Sequence, residues 1–147
     1  MNIKTCKFIV TGKPIGKGRP RFVRKTGIAY TDPKTKEYED RIKAAAWAAM
    51  KADRLMPTSS RCSIKMTAYM EIPKSYSEKK KIMCQLGAII PPRPDIDNII
   101  KAVCDGGNKI IYLDDAQVWH ISAYKQYCKE GQSPHLNVNV QWDAGSE

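Results

Sequence analysis

Histidine is almost missing from this sequence, with two among 147 residues. His120 and His135 are separated and fall in strand-like stretches, so they read as packed or surface residues, and no Ser/His/Asp or Cys/His arrangement can be built on them. Cysteine is sparse too. Cys6, Cys62, Cys84, Cys104 and Cys128 stand at least 20 residues apart, odd in number and without a CxxC pair, which excludes a zinc cluster and a disulfide framework and leaves reduced thiols. No GxxxxGK[ST] loop occurs. No apolar run approaches the roughly 20 residues needed to span a bilayer, and the N-terminus lacks the apolar core of a signal peptide. The expectation is a soluble cytoplasmic protein that uses no membrane. Linkers and internal repeats are also lacking, so residues 1–147 read as one domain, long enough to bury a core.

Acidic residues are outnumbered. Lys and Arg total 25 against 15 Asp and Glu, a formal charge of +10, which favours a polyanionic partner although solubility alone also accounts for it. Against that background, Asp95, Asp97, Asp105, Asp114 and Asp115 crowd into one short stretch. On a helical period Ile96, Ile99, Ile100, Val103 and Cys104 make an apolar stripe, and Asp97, Asn98, Lys101 and Asp105 share the other face. Pro91-Pro92-Arg93-Pro94 opposes helix ahead of this point, which makes Asp95 the expected N-cap.

The remaining elements follow from pattern. Residues 4–11 alternate as a first strand. Gly12 to Arg21 is a pliable cationic loop, and Arg24-Lys25-Thr26-Gly27 is the turn of a hairpin between Arg21 and Thr31. Its glycines would let backbone approach phosphates while Lys13, Lys17, Arg19, Arg21, Arg24 and Lys25 neutralise them; an ordinary solvated loop is the alternative. Asp32-Pro33 opens a helix over 33–55, and a strand alternates from Arg61 to Ile72. A short helix lies within Ser75 to Gly87, and Ile110 to Leu113 is an apolar turn or short strand. Strands over Val118 to Tyr127 and Leu136 to Trp142 are expected to pair as a hairpin through Gly131 to Pro134. Trp47, Trp119 and Trp142 are most simply core, with stacking on an unpaired base as the other use of an aromatic. The order implies an α+β fold, a single domain with helices packed on a mixed, mostly antiparallel sheet.

Carboxylates at a helix start and at the end of a neighbouring segment suit Mg²⁺, a hard ion that keeps waters for use as nucleophile. Taken singly, Asp95 is explained by capping, Asp97 and Asp105 by a surface ladder with Lys101, and Asp114-Asp115 by a turn. Taken together, so many like charges call for a cation among them.

These residues resemble a known family. PPRPDIDNIIKAVCD followed by YLDDAQV is similar to the RusA-type Holliday junction resolvases, small homodimeric endodeoxyribonucleases carried mostly by phages and prophages. PIGKGRPRFVRK and IAYTDPKTKEYE resemble the basic amino-terminal part of its members. The resemblance implies Mg²⁺-dependent resolution of four-way junctions by paired nicks, in DNA recombination and repair, with Mn²⁺ as the substitute ion. It implies Asp95, Asp97 and Asp115 as metal-binding catalytic residues, Lys101 as the catalytic lysine, Asn98 as a DNA contact, and Asp105 and Asp114 as supporting positions. The sequence departs from the family at Gly106-Gly107, where members commonly continue the helix with alanine and leucine. A non-catalytic basic nucleic-acid-binding protein, or a nuclease preferring flaps or forks, is the competing reading.

Overall fold

The computed structural model describes residues 1–18 and 21–145. Four strands, β1 (Ile3–Thr11), β4 (Cys62–Met70), β5 (Val118–Tyr127) and β6 (His135–Asp143), form one sheet in the order β1-β6-β4-β5. Two short strands, β2 (Arg21–Val23) and β3 (Ile28–Tyr30), make a separate antiparallel ribbon. Among the described residues three α-helices complete an α+β fold: α1 (Pro33–Ala52), α2 (Glu78–Gln85) and α3 (Ile96–Gly107).

Period-two patterning decides which face of the sheet is covered. Cys6, Phe8 and Val10 of β1, Leu136, Val138, Val140 and Trp142 of β6, and Cys62, Ile64, Met66 and Ala68 of β4 are buried in one cluster with Tyr38, Ile42 and Ala46 of α1 and Ile99, Ala102 and Val103 of α3. Asp32 caps α1 by accepting from the Lys34 amide at 2.8 Å, Pro33 supplies the first turn, and the helix stops at Ala52 because Asp53 caps it and Arg54 turns to φ 55°. Ser77 caps α2 by accepting from the Lys80 amide at 3.2 Å. This helix covers a small second cluster of Met70, Cys84 and Tyr127.

The expected hairpin of β5 and β6 does not form. β4 lies between them, paired antiparallel to β6 and parallel to β5. A parallel pair needs a long crossover, which α2 and α3 provide, so the segment before β5 returns the chain to the sheet edge and displaces β6 towards β1. Two of the three tryptophans are also not core: Trp47 and Trp119 are exposed, each beneath a cation (Lys51 and Arg61), and only Trp142 is buried. Strand β4 ends at Met70, short of Ile72.

The Gly106-Gly107 pair does not break α3. A Cβ on Gly106 would lie 2.4 Å from Ile42 Cγ2, and one on Gly107 would lie 2.7 Å from the Tyr112 hydroxyl oxygen. Both glycines are therefore needed for close approach, of α3 to α1 and of the following turn to α3. The inward stripe is Ile99, Ala102, Val103, Gly106 and Gly107, and Ile96 is left exposed.

Candidate active site

Asp95 is the N-cap of α3 by backbone position, with φ −64° and ψ 142°, yet its side chain makes no capping hydrogen bond. The carboxylate is exposed and has no ion-pair partner among the described residues. Asp97 accepts from the Asn98 amide at 3.0 Å. Lys101, a turn further on, is exposed and pairs with neither Asp97 nor Asp105. The surface salt-bridge ladder that would have explained these residues without chemistry is not made.

Asp114 and Asp115 divide their duties. Asp114 caps a single 3-10 turn (Asp115–Gln117), accepting from the Ala116 amide at 3.0 Å, while the Gln117 side chain accepts from the Asp114 amide at 2.9 Å. The Gln117 side-chain Nε2 donates to the Thr58 and Ser60 carbonyls, 2.8 Å each, and so fastens the turn to the loop before β4. The Ala116 amide holds the Asp114 carboxyl below its ordinary value. Asp115 is pushed up, first by the hydrogen bond it shares with Asp114, then by desolvation and by the charges of Asp114 and Asp105. Asp115 thus sits among acids at the far end of α3. That end is about 15 Å from Asp95 at the helical rise per residue. The tyrosine that sets this turn, Tyr112, is buried and donates to the Cys104 carbonyl at 2.7 Å.

The acids are accordingly strung along α3 and its exit. Among the described residues no three His, Cys, Asp or Glu side chains stand close enough together to enclose a cation. Mg²⁺ does not require such a cage, because it keeps several waters and takes one or two carboxylates together with substrate phosphate oxygens. Among the described residues Asp95 and Asp97 have no cationic partner, so at the start of α3 they offer the one or two hard carboxylates that suit such an ion, whereas Asp115, at the other end of the helix, cannot share it with them.

A cleft of about 820 Å³ opens beside the start of α3. Asp95, Asn98 and the proline strap 91–94 form one wall, Lys13 to Gly16, Gly18 and Arg21 another, and Thr31, Lys34 and Thr35 at the start of α1 contribute to its lining. The glycine-rich loop is fixed here. The Lys17 amide donates to the Asn98 carbonyl at 2.9 Å, and a Cβ on Gly16 would meet Asn98 Cβ at 2.7 Å. From β5, Lys125 Nζ reaches the Pro94 carbonyl at 3.4 Å and steadies the strap before Asp95.

Of the cations read from the sequence as DNA contacts, Lys13 and Arg21 line this cleft, and Arg24 and Lys25 lie exposed in the ribbon turn. Arg19 lies outside the described residues. Lys17 is used internally: its Nζ lies 2.8 Å from Glu39 Oε1 and 2.8 Å from Asp105 Oδ2, joining loop, α1 and α3. Desolvation would lower its pKa, but hydrogen bonds to Asp105 and Glu39 outweigh this and raise it. Sequence reasoning missed Lys34 and Arg93 in the cleft, and Glu39, Gln117 and Lys125 as supports. Only Gln117 carried a signal, as the last residue of an Asp-x-x-Gln capping box.

A basic α+β domain in which Asp95, Asp97 and Lys101 have no salt-bridge partner among the described residues, beside a cleft lined by four cations as well as Asp32, Glu71 and Asp95, has the layout of an enzyme acting on nucleic-acid phosphates. The chain belongs to the RusA-type Holliday junction resolvase family, since residues 11–141 match the family Endodeoxyribonuclease RusA. It is also similar to the uncharacterized protein YqaN of Bacillus subtilis (strain 168), with 33% identity over 139 residues, which cover 92% of this chain and 94% of that protein. No described helix is long and apolar enough to cross a membrane.

Proposed function

We propose that this protein is a Mg²⁺-dependent endodeoxyribonuclease that resolves four-way DNA junctions by paired, symmetric nicks in recombination and repair. The observation that carries this reading is the start of α3, where Asp95, Asp97 and Lys101 have no salt-bridge partner among the described residues and Asp95 lines a cleft together with Lys13, Arg21, Lys34 and Arg93. Uncompensated acids cost affinity for DNA, so their presence in a protein of charge +10 points to a cation.

Asp95 and Asp97 would hold one ion at the start of α3, and Asp115, at the other end of the helix, would hold a second. Bound there, Mg²⁺, or Mn²⁺ in its place, supplies Lewis acidity towards the phosphate and an activated water. The chain's own contribution is positioning. Lys125 and the proline strap fix Asp95, the Gln117 capping box fixes Asp115, and the cleft cations hold the strand. Lys101 is free to stabilise negative charge developing on the phosphate or the leaving oxygen. A homodimer would present two such sites to the two-fold symmetry of a junction. Labelled four-way junction, fork and duplex incubated with Mg²⁺ test the reading. Symmetric nicks in the junction are expected. Preferential cutting of forks or flaps would replace the junction assignment, and binding without cutting would leave only a basic nucleic-acid-binding protein.

A further inference from the structure

The β2–β3 ribbon does not belong to the core. Residues 21–30 are all exposed, Phe22 by 71% and Ile28 by 61% of their surface, and Val23 and Tyr30 are exposed as well. Large apolar side chains concentrated on a projecting ribbon signal contact with something else. The pairing Arg21↔Tyr30, Phe22↔Ala29 and Val23↔Ile28 puts Val23, Ile28 and Tyr30 on one face of the ribbon and Phe22 on the other. A ribbon apolar on both faces cannot satisfy itself by lying on a single surface. It fits between two.

Charge selects what those surfaces are. Arg21, Arg24 and Lys25 sit among the apolar residues, and no Asp or Glu occurs between Lys13 and Thr31. Docking on the same ribbon of a second copy would set these cations against each other, whereas a polyanion complements them. Place narrows the choice further, because Arg21 and Thr31, at the two ends of the ribbon, line the cleft that contains Asp95. The partner is therefore the nucleic acid held by the cleft, at a point where bases are exposed on two sides. Intact duplex offers no such point, and a branch does.

We infer that the ribbon is a wedge that enters branched DNA, with Phe22 against the end of one stacked arm and Ile28 and Tyr30 against the other, while Arg24 and Lys25 at its tip contact phosphates. Apolar wedges that unstack base steps and aromatic platforms for unpaired bases are established uses of such side chains. The inference rests on the DNA-cleaving reading above and adds how a branch is told from a duplex.

The test uses Phe22→Ala with Ile28→Ala in the full-length protein, substitutions outside the core and so compatible with folding, with circular dichroism and melting as a check. A four-way junction carrying 2-aminopurine at the branch point is titrated in Ca²⁺. The unsubstituted protein should raise the fluorescence as bases unstack. The double variant should lose that rise and at least about fivefold of its preference for junction over duplex, with duplex affinity and its salt dependence kept. Arg24→Ala with Lys25→Ala should do the reverse, flattening the salt dependence and leaving the fluorescence change. An unchanged fluorescence rise in the Phe22/Ile28 variant overturns the wedge while leaving the nuclease reading intact. Conversion of a dimer to monomer in the same variant would assign the ribbon to self-association, and lost binding to anionic vesicles would assign it to a lipid surface; either overturns the wedge. Failure of the unsubstituted protein to bind junction at all overturns both the wedge and the reading beneath it.

Discussion

Replacing Lys17 with methionine separates an internal use of that cation from a DNA contact. Its Nζ is 2.8 Å from each of Glu39 Oε1 and Asp105 Oδ2, and the three side chains keep 22%, 13% and 25% of their surface exposed. Exposed pairs are worth up to about 1 kcal/mol, and removal of one partner from a fully buried pair costs about 3–5 kcal/mol. A network between these limits should cost about 2 kcal/mol when its cation is lost. Lys43, 3.9 Å from Glu39, offsets little of this because it is itself largely exposed. For a chain of this length that is a fall in Tm on the order of 6 °C. The sign with pH is fixed by the raised pKa of Lys17. Its stabilisation is complete below the unfolded lysine value of about 10.4 and is lost as pH rises through the folded value, so the gap between the two proteins should narrow only in strong alkali. Melting followed by circular dichroism measures this, and junction titrations at several salt concentrations measure binding. The slope of log affinity against log salt should not change. A slope reduced by about one with Tm unaltered would refute the reasoning and return Lys17 to the DNA surface.

Reversing Arg21 and Arg24 to glutamate should weaken junction binding and flatten its salt dependence, and an unchanged slope would move the binding surface elsewhere, for instance to Lys79–Lys81. Gly106→Ala should destabilise by about 2 kcal/mol or more, since its Cβ would lie 2.4 Å from Ile42 Cγ2; combined with Ile42→Ala, the loss in chemical denaturation should be smaller than the sum of the two single losses, and strict additivity would deny the close helix approach. Sedimentation at micromolar concentration should show a homodimer, and a monomer that still makes paired nicks would contradict the two-site scheme.

Much of this structure was legible because most local patterns agree with the global fold. The alternation of β4, the Asp32-Pro33 start of α1 and the Asp95 start of α3 all appear where the sequence places them. The β5–β6 pairing misled because neighbouring strands in sequence usually pair, and nothing within either strand reveals that β4 is inserted between them. Gly106 and Gly107 look like a weak helix end until Ile42 and Tyr112 are seen to occupy the space of their side chains. In the site, the sequence marks the charges but not their partners. Lys17 and Lys13 are equivalent cations of one loop on paper, and only the fold brings Glu39 and Asp105 to one and leaves the other in the cleft. The same holds for the acids, where Asp114 is occupied as a cap and Asp115 is not.

The catalytic assignment is tested most directly by Asp97→Asn, assayed on one folded preparation for junction binding in Ca²⁺ and for cleavage in Mg²⁺. Removing a negative charge from the surface proposed to meet DNA should leave binding intact or tighten it. Cleavage should fall by several orders of magnitude, because a neutral amide is a poor ligand for a hard cation. Near-normal cleavage by this variant would contradict the assignment of Asp97, and with it the site at the start of α3.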